Sequence, residues 1–275
     1  MGRNSFFLNL PFALLTTLVW GVLAFGVGRI VKRHATIDAF WGAGFLVVFI
    51  ESLAVSHQLS GSSMTPWWHS GATERMLMLG AVAAWALRLS IHLAIRQRGS
   101  AEDSRYVMIM NGARGRNETL YAFKMIYGLQ MLLLWFVSIP LQWIAFGTGF
   151  NWLLGLGLVM VAKGLFFEAV GDEQLRRFVA NRANAGTTMN RGLWRYTRHP
   201  NYFGDAVVWG GFYFATASSG AGWLTLLSPL VMIWLLTSLS GRPMLERKLT
   251  KTRAGYEEYV ASTSSFVPWP PRRPK

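Results

Sequence analysis

Hydrophobic positions along this chain come in long unbroken blocks rather than at strand or amphipathic-helix spacing. The nearly uncharged windows are Phe6 to Gly28, Ala39 to Val55, Met76 to Leu87, Met125 to Gly149, Trp152 to Val170 and Ala206 to Leu239. A helix of about twenty apolar residues crosses a hydrocarbon layer about 30 Å thick. The last window is too long for one helix and breaks at SSGAG (218–222), so it divides in two. The expected fold is therefore all-α, a polytopic membrane bundle of seven transmembrane helices.

The polar segments between the blocks alternate in charge. The loops at 28–35, 96–118 and 171–204 and the tail 241–275 hold 3, 5, 6 and 8 of the 27 Lys and Arg. The N-terminus and the loops near 57–75, 145–151 and 218–222 hold only Arg3 and Arg75. Basic loops stay on the cytoplasmic side, so the N-terminus is expected outside and the C-terminus in the cytoplasm. Only 15% of residues are charged, against the quarter or so of a soluble domain, and 52% are hydrophobic. The 13 Trp and 8 Tyr suit two water–lipid interfaces. A net charge of +14 would otherwise suggest nucleic acid. Here it is concentrated on loops where anionic lipid accounts for part of it, and no nucleic-acid partner is expected. With no cysteine, disulfides, thiol catalysis and thiolate metal sites are excluded, and no metal is expected. The first block lacks a cleavage signal and reads as a retained helix. No repeat or soluble domain interrupts residues 1–275, which read as one domain with its basic loops on one side.

Ionisable groups inside membrane helices usually face the bundle interior or a cavity. Asp38 and Trp41 open the second helix on one face, and Glu51 lies farther along it. Trp85, Arg88 and His92 form one stripe on the third. Lys163 lies on the fifth, and Glu168, Asp172 and Arg176 follow at i,i+4 spacing. Plainer readings exist for each: Arg88 and Lys163 can snorkel, Glu168 to Arg176 can be ordinary helix pairs, and Asp38 can cap its helix.

The stretch NRGLWRYTRHPNYFGD (190–205) concentrates hydrogen-bonding chemistry at the edge of the sixth apolar segment. Pro200 suits a helix's first turn and disfavours helix at His199. Asn201 and Asp205 then share a face, preceded by Arg191, Arg195 and Arg198. A helix N-terminus with arginines beside it favours anions, and Arg grips phosphate bidentately. The stretch reads as a socket for a phosphorylated cytosolic cofactor.

These pieces together resemble the bacterial integral-membrane relatives of the steroid 5-alpha-reductase family. The resemblance covers nearly the whole chain, in the order ATIDAFWGAGF, WALRLSIHLAIRQRG, EDSRY, EAVGDEQLRRF, RGLWRYTRHPNYFGD, SGRPMLERKL and GYEEYVASTSSFVPWPP. RHPNYFG alone also occurs in isoprenylcysteine-type membrane methyltransferases and sterol reductases. The resemblance implies a multi-pass enzyme of a bacterial inner membrane, and a monomer is expected. Its reaction would be NADPH-dependent saturation of the double bond of an apolar enone, such as a 3-oxo-4-ene steroid. It implies cofactor contacts from Asp172 and Arg176, from Asn201 and Asp205, and from Arg242. Glu246 stands where the family has a His. Arg88, Arg98, Arg191, Arg195, His199 and Tyr202 complete the expected cofactor side. The family's catalytic Glu and Tyr align with Asp38 and Trp85, and Tyr106 is a second phenol able to replace the missing one.

Hydride arriving at the enone β-carbon builds negative charge on the carbonyl oxygen, and a donor aimed there lowers the barrier. A protonated Asp38 would serve. No G-x-G-x-x-G is present, so a nucleotide would be held without a Rossmann unit. An S-adenosylmethionine-dependent methyltransferase needs a similar socket but not a row of arginines. A transporter would show internal symmetry and broken helices, which the sequence does not.

Overall fold

The computed structural model describes residues 3–59, 73–147, 151–239, 246 and 249–272. Among these residues it is all-helical, and one isolated parallel bridge joins Thr187 to Ala254. Six helical segments among the described residues are long and apolar enough to cross a membrane: Ser5–Val31, Thr36–Leu59, Thr73–Gln97, Glu118–Val137, Trp152–Ala180 and Gly220–Ser238. The protein is thus a multi-pass helical membrane protein. The remaining expected span corresponds to a helix over Pro200–Ala217, 18 residues long. It falls outside that group because Pro200, Asn201 and Asp205 make its first turns polar.

The chain divides into two compact units, Met1–Leu154 with Ser218–Gly222, and Gly155–Ala217 with Trp223–Lys275. In the first, α1 (Arg3–Val31), α2 (Thr36–Leu59) and α3 (Thr73–Gln97) are followed by a short α4 (Ser104–Asn111). Asp103 caps α4, its carboxylate accepting from the Arg105 amide at 2.8 Å. Helix α2 is central, packing on α1 and α3 and on the later α6 (Leu129–Val137) and α7 (Ile139–Ala145). It lies close to α3 where it has no side chain: a Cβ on Gly42 would sit 2.8 Å from Ser90 Oγ and 2.9 Å from the Ala86 carbonyl. Small residues permit such crossings where lipid supplies no hydrophobic drive between helices. Phe45, Val48, Phe49 and Leu53 are buried along α2 beyond that crossing.

The fourth apolar block differs from expectation at both ends. It starts at α5 (Glu118–Ala122), seven residues before the uncharged window, because Asn117 caps the helix by accepting from Leu120 N–H at 3.0 Å and Lys124 is exposed. A π-helical turn, Phe123–Gly128, then leads into α6. Pro140, which has no N–H to give, marks the start of α7 after a break at Ser138.

In the second unit, α8 (Trp152–Ala180) packs on α9 (Pro200–Ala217) through glycines. A Cβ on Gly157 would lie 2.5 Å from the Gly211 carbonyl, and one on Gly164 would lie 2.5 Å from the Gly204 carbonyl. Backbone blocks each position, so the helices meet at a distance only glycine permits. Helices α10 (Leu227–Trp234) and α11 (Tyr256–Ser262) complete this unit. The tail after α11 lies on the segment before α9. Arg198 N–H donates to the Ser264 carbonyl at 2.9 Å, Trp269 N–H to Tyr196 at 2.9 Å, and Thr197 Oγ1 to Phe266 at 2.8 Å.

Candidate functional site

Two polar clusters hold most of the sequence-predicted residues, one in each unit. The first gathers at the start of α2. The α1–α2 turn bends at Lys32, whose φ is +56°. Glu102 fastens the turn by accepting from the backbone N–H groups of His34 (2.5 Å) and Ala35 (3.0 Å). Arg33 donates to the Gln97 and Ala101 carbonyls at 2.6 and 3.1 Å, and Gln97 donates back to Ala35 at 2.7 Å. These contacts fix α4 beside the first turn of α2. Burial, with Arg29 nearby, holds the His34 imidazole below its ordinary pKa against the pull of Glu102.

Asp38 sits within that frame, its side chain 18% exposed. Tyr106 donates its phenol proton to Asp38 Oδ1 at 2.5 Å, and Arg105 donates to Oδ2 at 2.7 Å. Arg105 also reaches Asp103 through its Nε at 3.1 Å, and Gln130 Nε2 donates to the Tyr106 oxygen at 3.2 Å. Burial, reinforced by the Asp38 charge, pushes the Tyr106 phenol well above its ordinary pKa. Burial opposes the Arg105 charge, but Asp38 and Asp103 outweigh it and keep the guanidinium more basic than usual. Burial also acts against the Asp103 charge, yet hydrogen bonds from Arg105 hold its carboxyl below the usual range. Both oxygens of Asp38 are acceptors, so in this geometry the proton donor of the pair is Tyr106.

The structure therefore joins Asp38 to Tyr106 and places Trp85 elsewhere. Trp85 is fully buried and packs on Phe45 with ring centroids 5.6 Å apart. Phe45 lies seven residues beyond Asp38, about 10 Å along the helix. Arg88 and His92 are half-buried on α3, and Arg98 is exposed just past its end. The sequence pattern alone does not single out Arg105, Glu102 or Gln130. The EDSRY string contained the first two, but only folding aims Arg105 back at Asp38. Gln130 follows the π-helical turn, an irregularity often found at functional sites.

The second cluster surrounds the start of α9. Asn201 Nδ2 donates to Asp172 Oδ1 at 3.1 Å, joining two of the expected cofactor residues. The Asn201 side-chain oxygen Oδ1 meanwhile accepts from Tyr202 N–H at 3.0 Å. Asp205, Asp172 and Glu168 are buried. Glu246 Oε1 receives Arg198 Nε at 3.0 Å and contacts His199 Nε2 at 2.9 Å. His199 stacks on Tyr202 with centroids 5.2 Å apart and planes within 7°. Arg176 is bound at the surface by Glu173 (2.6 Å), while Arg191 and Arg195 are exposed and form no ion pair among the described residues. Arg242 lies outside the described residues.

Phosphate groups need exposed, uncommitted cations, and Arg191 and Arg195 meet that need. Arg198 and His199 do not, because Glu246 already holds both. Arg191 and Arg195 thus have the exposure and charge that a phosphate-bearing ligand would need, beside the Asn201–Asp172 pair.

A carboxylate, a phenol and a guanidinium are thus locked together at the start of a membrane-length helix in a multi-pass helical protein. The chain belongs to the family described as protein of unknown function DUF1295, which matches residues 24–263 and is the steroid 5-alpha-reductase-like family. No curated protein and no solved structure matches the chain.

Proposed function

We propose that this protein is a membrane reductase that saturates the carbon–carbon double bond of an apolar enone, a 3-oxo-4-ene steroid or similar lipid, at the expense of NADPH. The observation that carries the reading is the Tyr106–Asp38 hydrogen bond with Arg105 on the opposite carboxylate oxygen. NADPH, held at its phosphates by Arg191 and Arg195, would supply hydride to the enone β-carbon, and the enolate so formed would take its α-carbon proton from solvent. The chain's own part is to stabilise the charge that appears on the substrate oxygen. The Tyr106 O–H turns from Asp38 to that oxygen, and Arg105 keeps the released carboxylate compensated. Gln130, donating to the phenol oxygen, makes the O–H a stronger donor because hydrogen bonds in a chain polarise one another. The donor role expected of Asp38 passes to Tyr106, with Asp38 as its orienting acceptor.

Membership in the steroid 5-alpha-reductase-like family and the positive loops support this reading over methyl transfer. The proposal includes seven spans with α9 as the sixth, a cytoplasmic C-terminus, a cell-membrane location and a monomer. The deciding experiment is single-turnover NADPH oxidation by the detergent-purified protein with a 4-ene-3-one steroid. Binding of S-adenosylmethionine without binding of NADPH would replace the reading with the methyltransferase.

A further inference from the structure

A second buried polar cluster lies within the first unit, 14 residues along α2 from Asp38 at Ser52, about 21 Å away. Asn9, Ser52, Ser138 and Gln142 are fully buried there. Ser138 Oγ gives its proton to the Trp135 carbonyl at 2.8 Å, so it can only accept from Gln142. Gln142 Nε2 donates to Ser138 Oγ (2.8 Å) and Trp135 O (3.1 Å), which turns Gln142 Oε1 toward Asn9. Asn9 Nδ2 must then donate, to Gln142 Oε1 at 3.3 Å and to Ser52 Oγ at 3.0 Å. Ser52 in turn donates to Glu51 Oε2 at 3.3 Å. The chain of donors fixes every amide and leaves acceptors over. Asn9 Oδ1, Glu51 Oε1 and Ser56 Oγ have no hydrogen-bond partner among the described residues. Ser56 lies one turn beyond Ser52 on the same face.

No described residue forms an ion pair with Glu51. An uncompensated carboxylate and an orphan amide oxygen within membrane helices are both costly, and such groups pair with something. What is missing is one positive charge that accepts oxygen ligands. No three His, Cys, Asp or Glu cluster among the described residues, which removes the usual transition-metal sets. Carboxylate, amide and hydroxyl oxygens suit a hard cation, and one carboxylate balances a monovalent one. We propose that Asn9, Glu51, Ser52 and Ser56 form a sodium site. It stands independently of the reductase reading.

A ligand that binds only the folded protein raises its unfolding midpoint with concentration. The test is thermal unfolding of the detergent-purified full chain in NaCl and in choline chloride at matched ionic strength. The wild type is expected to unfold at a higher midpoint in NaCl, rising with concentration and then saturating. Glu51→Gln and Ser56→Ala should lose that rise. The wild-type comparison stands even if a variant folds poorly. Equal midpoints in the two salts would overturn the site. So would a midpoint that follows pH alone and ignores sodium, which would mean that a proton neutralises Glu51.

Discussion

Tyr106 and Asp38, 68 positions apart, share a hydrogen bond of 2.5 Å, while Arg105, beside Tyr106 in the chain, closes the other side of the same carboxylate at 2.7 Å. One short helix thus supplies both groups that bind Asp38. Each can be removed separately.

Tyr106→Phe deletes the proposed donor and leaves the ring. Loss of an oxyanion donor is typically worth about 10²–10³ in rate. Single-turnover reduction should slow by that order, with NADPH affinity unchanged. Asp38→Asn keeps an acceptor for the phenol and should slow the reaction less. An unchanged rate in Tyr106→Phe would remove the phenol from the chemistry.

Arg191→Ala and Arg195→Ala should each weaken NADPH about tenfold or more, since a hydrogen bond to a charged group contributes about 1.5–3 kcal/mol. The wild-type dissociation constant should rise with salt, because both arginines are exposed and ionic strength screens exposed charges. Titration by nucleotide fluorescence at two salt concentrations checks both statements.

Gly164→Ala places a methyl 2.5 Å from the Gly204 carbonyl and 2.6 Å from Val208. Overpacking of this kind costs about 1–3 kcal/mol. The melting temperature in detergent should fall, and Gly155→Ala, whose Cβ meets nothing within 4 Å, should leave it in place.

His34 gives an acid limb to stability. Its folded pKa lies below the ordinary 6.5, chiefly because burial disfavours the charged imidazole. The unfolded chain therefore binds the proton more tightly. The contribution is fully present above pH 6.5 and is lost as pH falls from there through the folded value. His34→Gln should flatten the unfolding midpoint across that window, and a wild-type slope surviving in the variant would assign it to another group.

Much of this could be read from the sequence. Blocks of apolar residues gave the helices because lipid demands internally satisfied backbone, which leaves few alternatives. Asp38 and Tyr106 were both recognisable as polar groups in the wrong company. Their partnership was not, since it depends on Glu102 fastening the α1–α2 turn so that α4 falls beside α2. Trp85 was aligned with a catalytic tyrosine by position, yet its bulk is taken up by packing on Phe45. Glu246 posed the same difficulty from the other side. Its substitution was visible, but its partners, Arg198 and His199, lie 48 and 47 positions away. The tail was hardest, because it docks through backbone carbonyls that any residue carries.

That docking bears on how the molecule is made. Arg198 N–H waits for Ser264, Tyr196 for Trp269, and Ser262 for Arg272. The partners leave the ribosome well after the helices that flank the RHPNY loop. Domains otherwise tend to fold in order of synthesis. The loop can reach its final shape only after residues 262–272 have been made, so a chain cut short before them would carry its helices into the membrane and still lack a finished RHPNY segment.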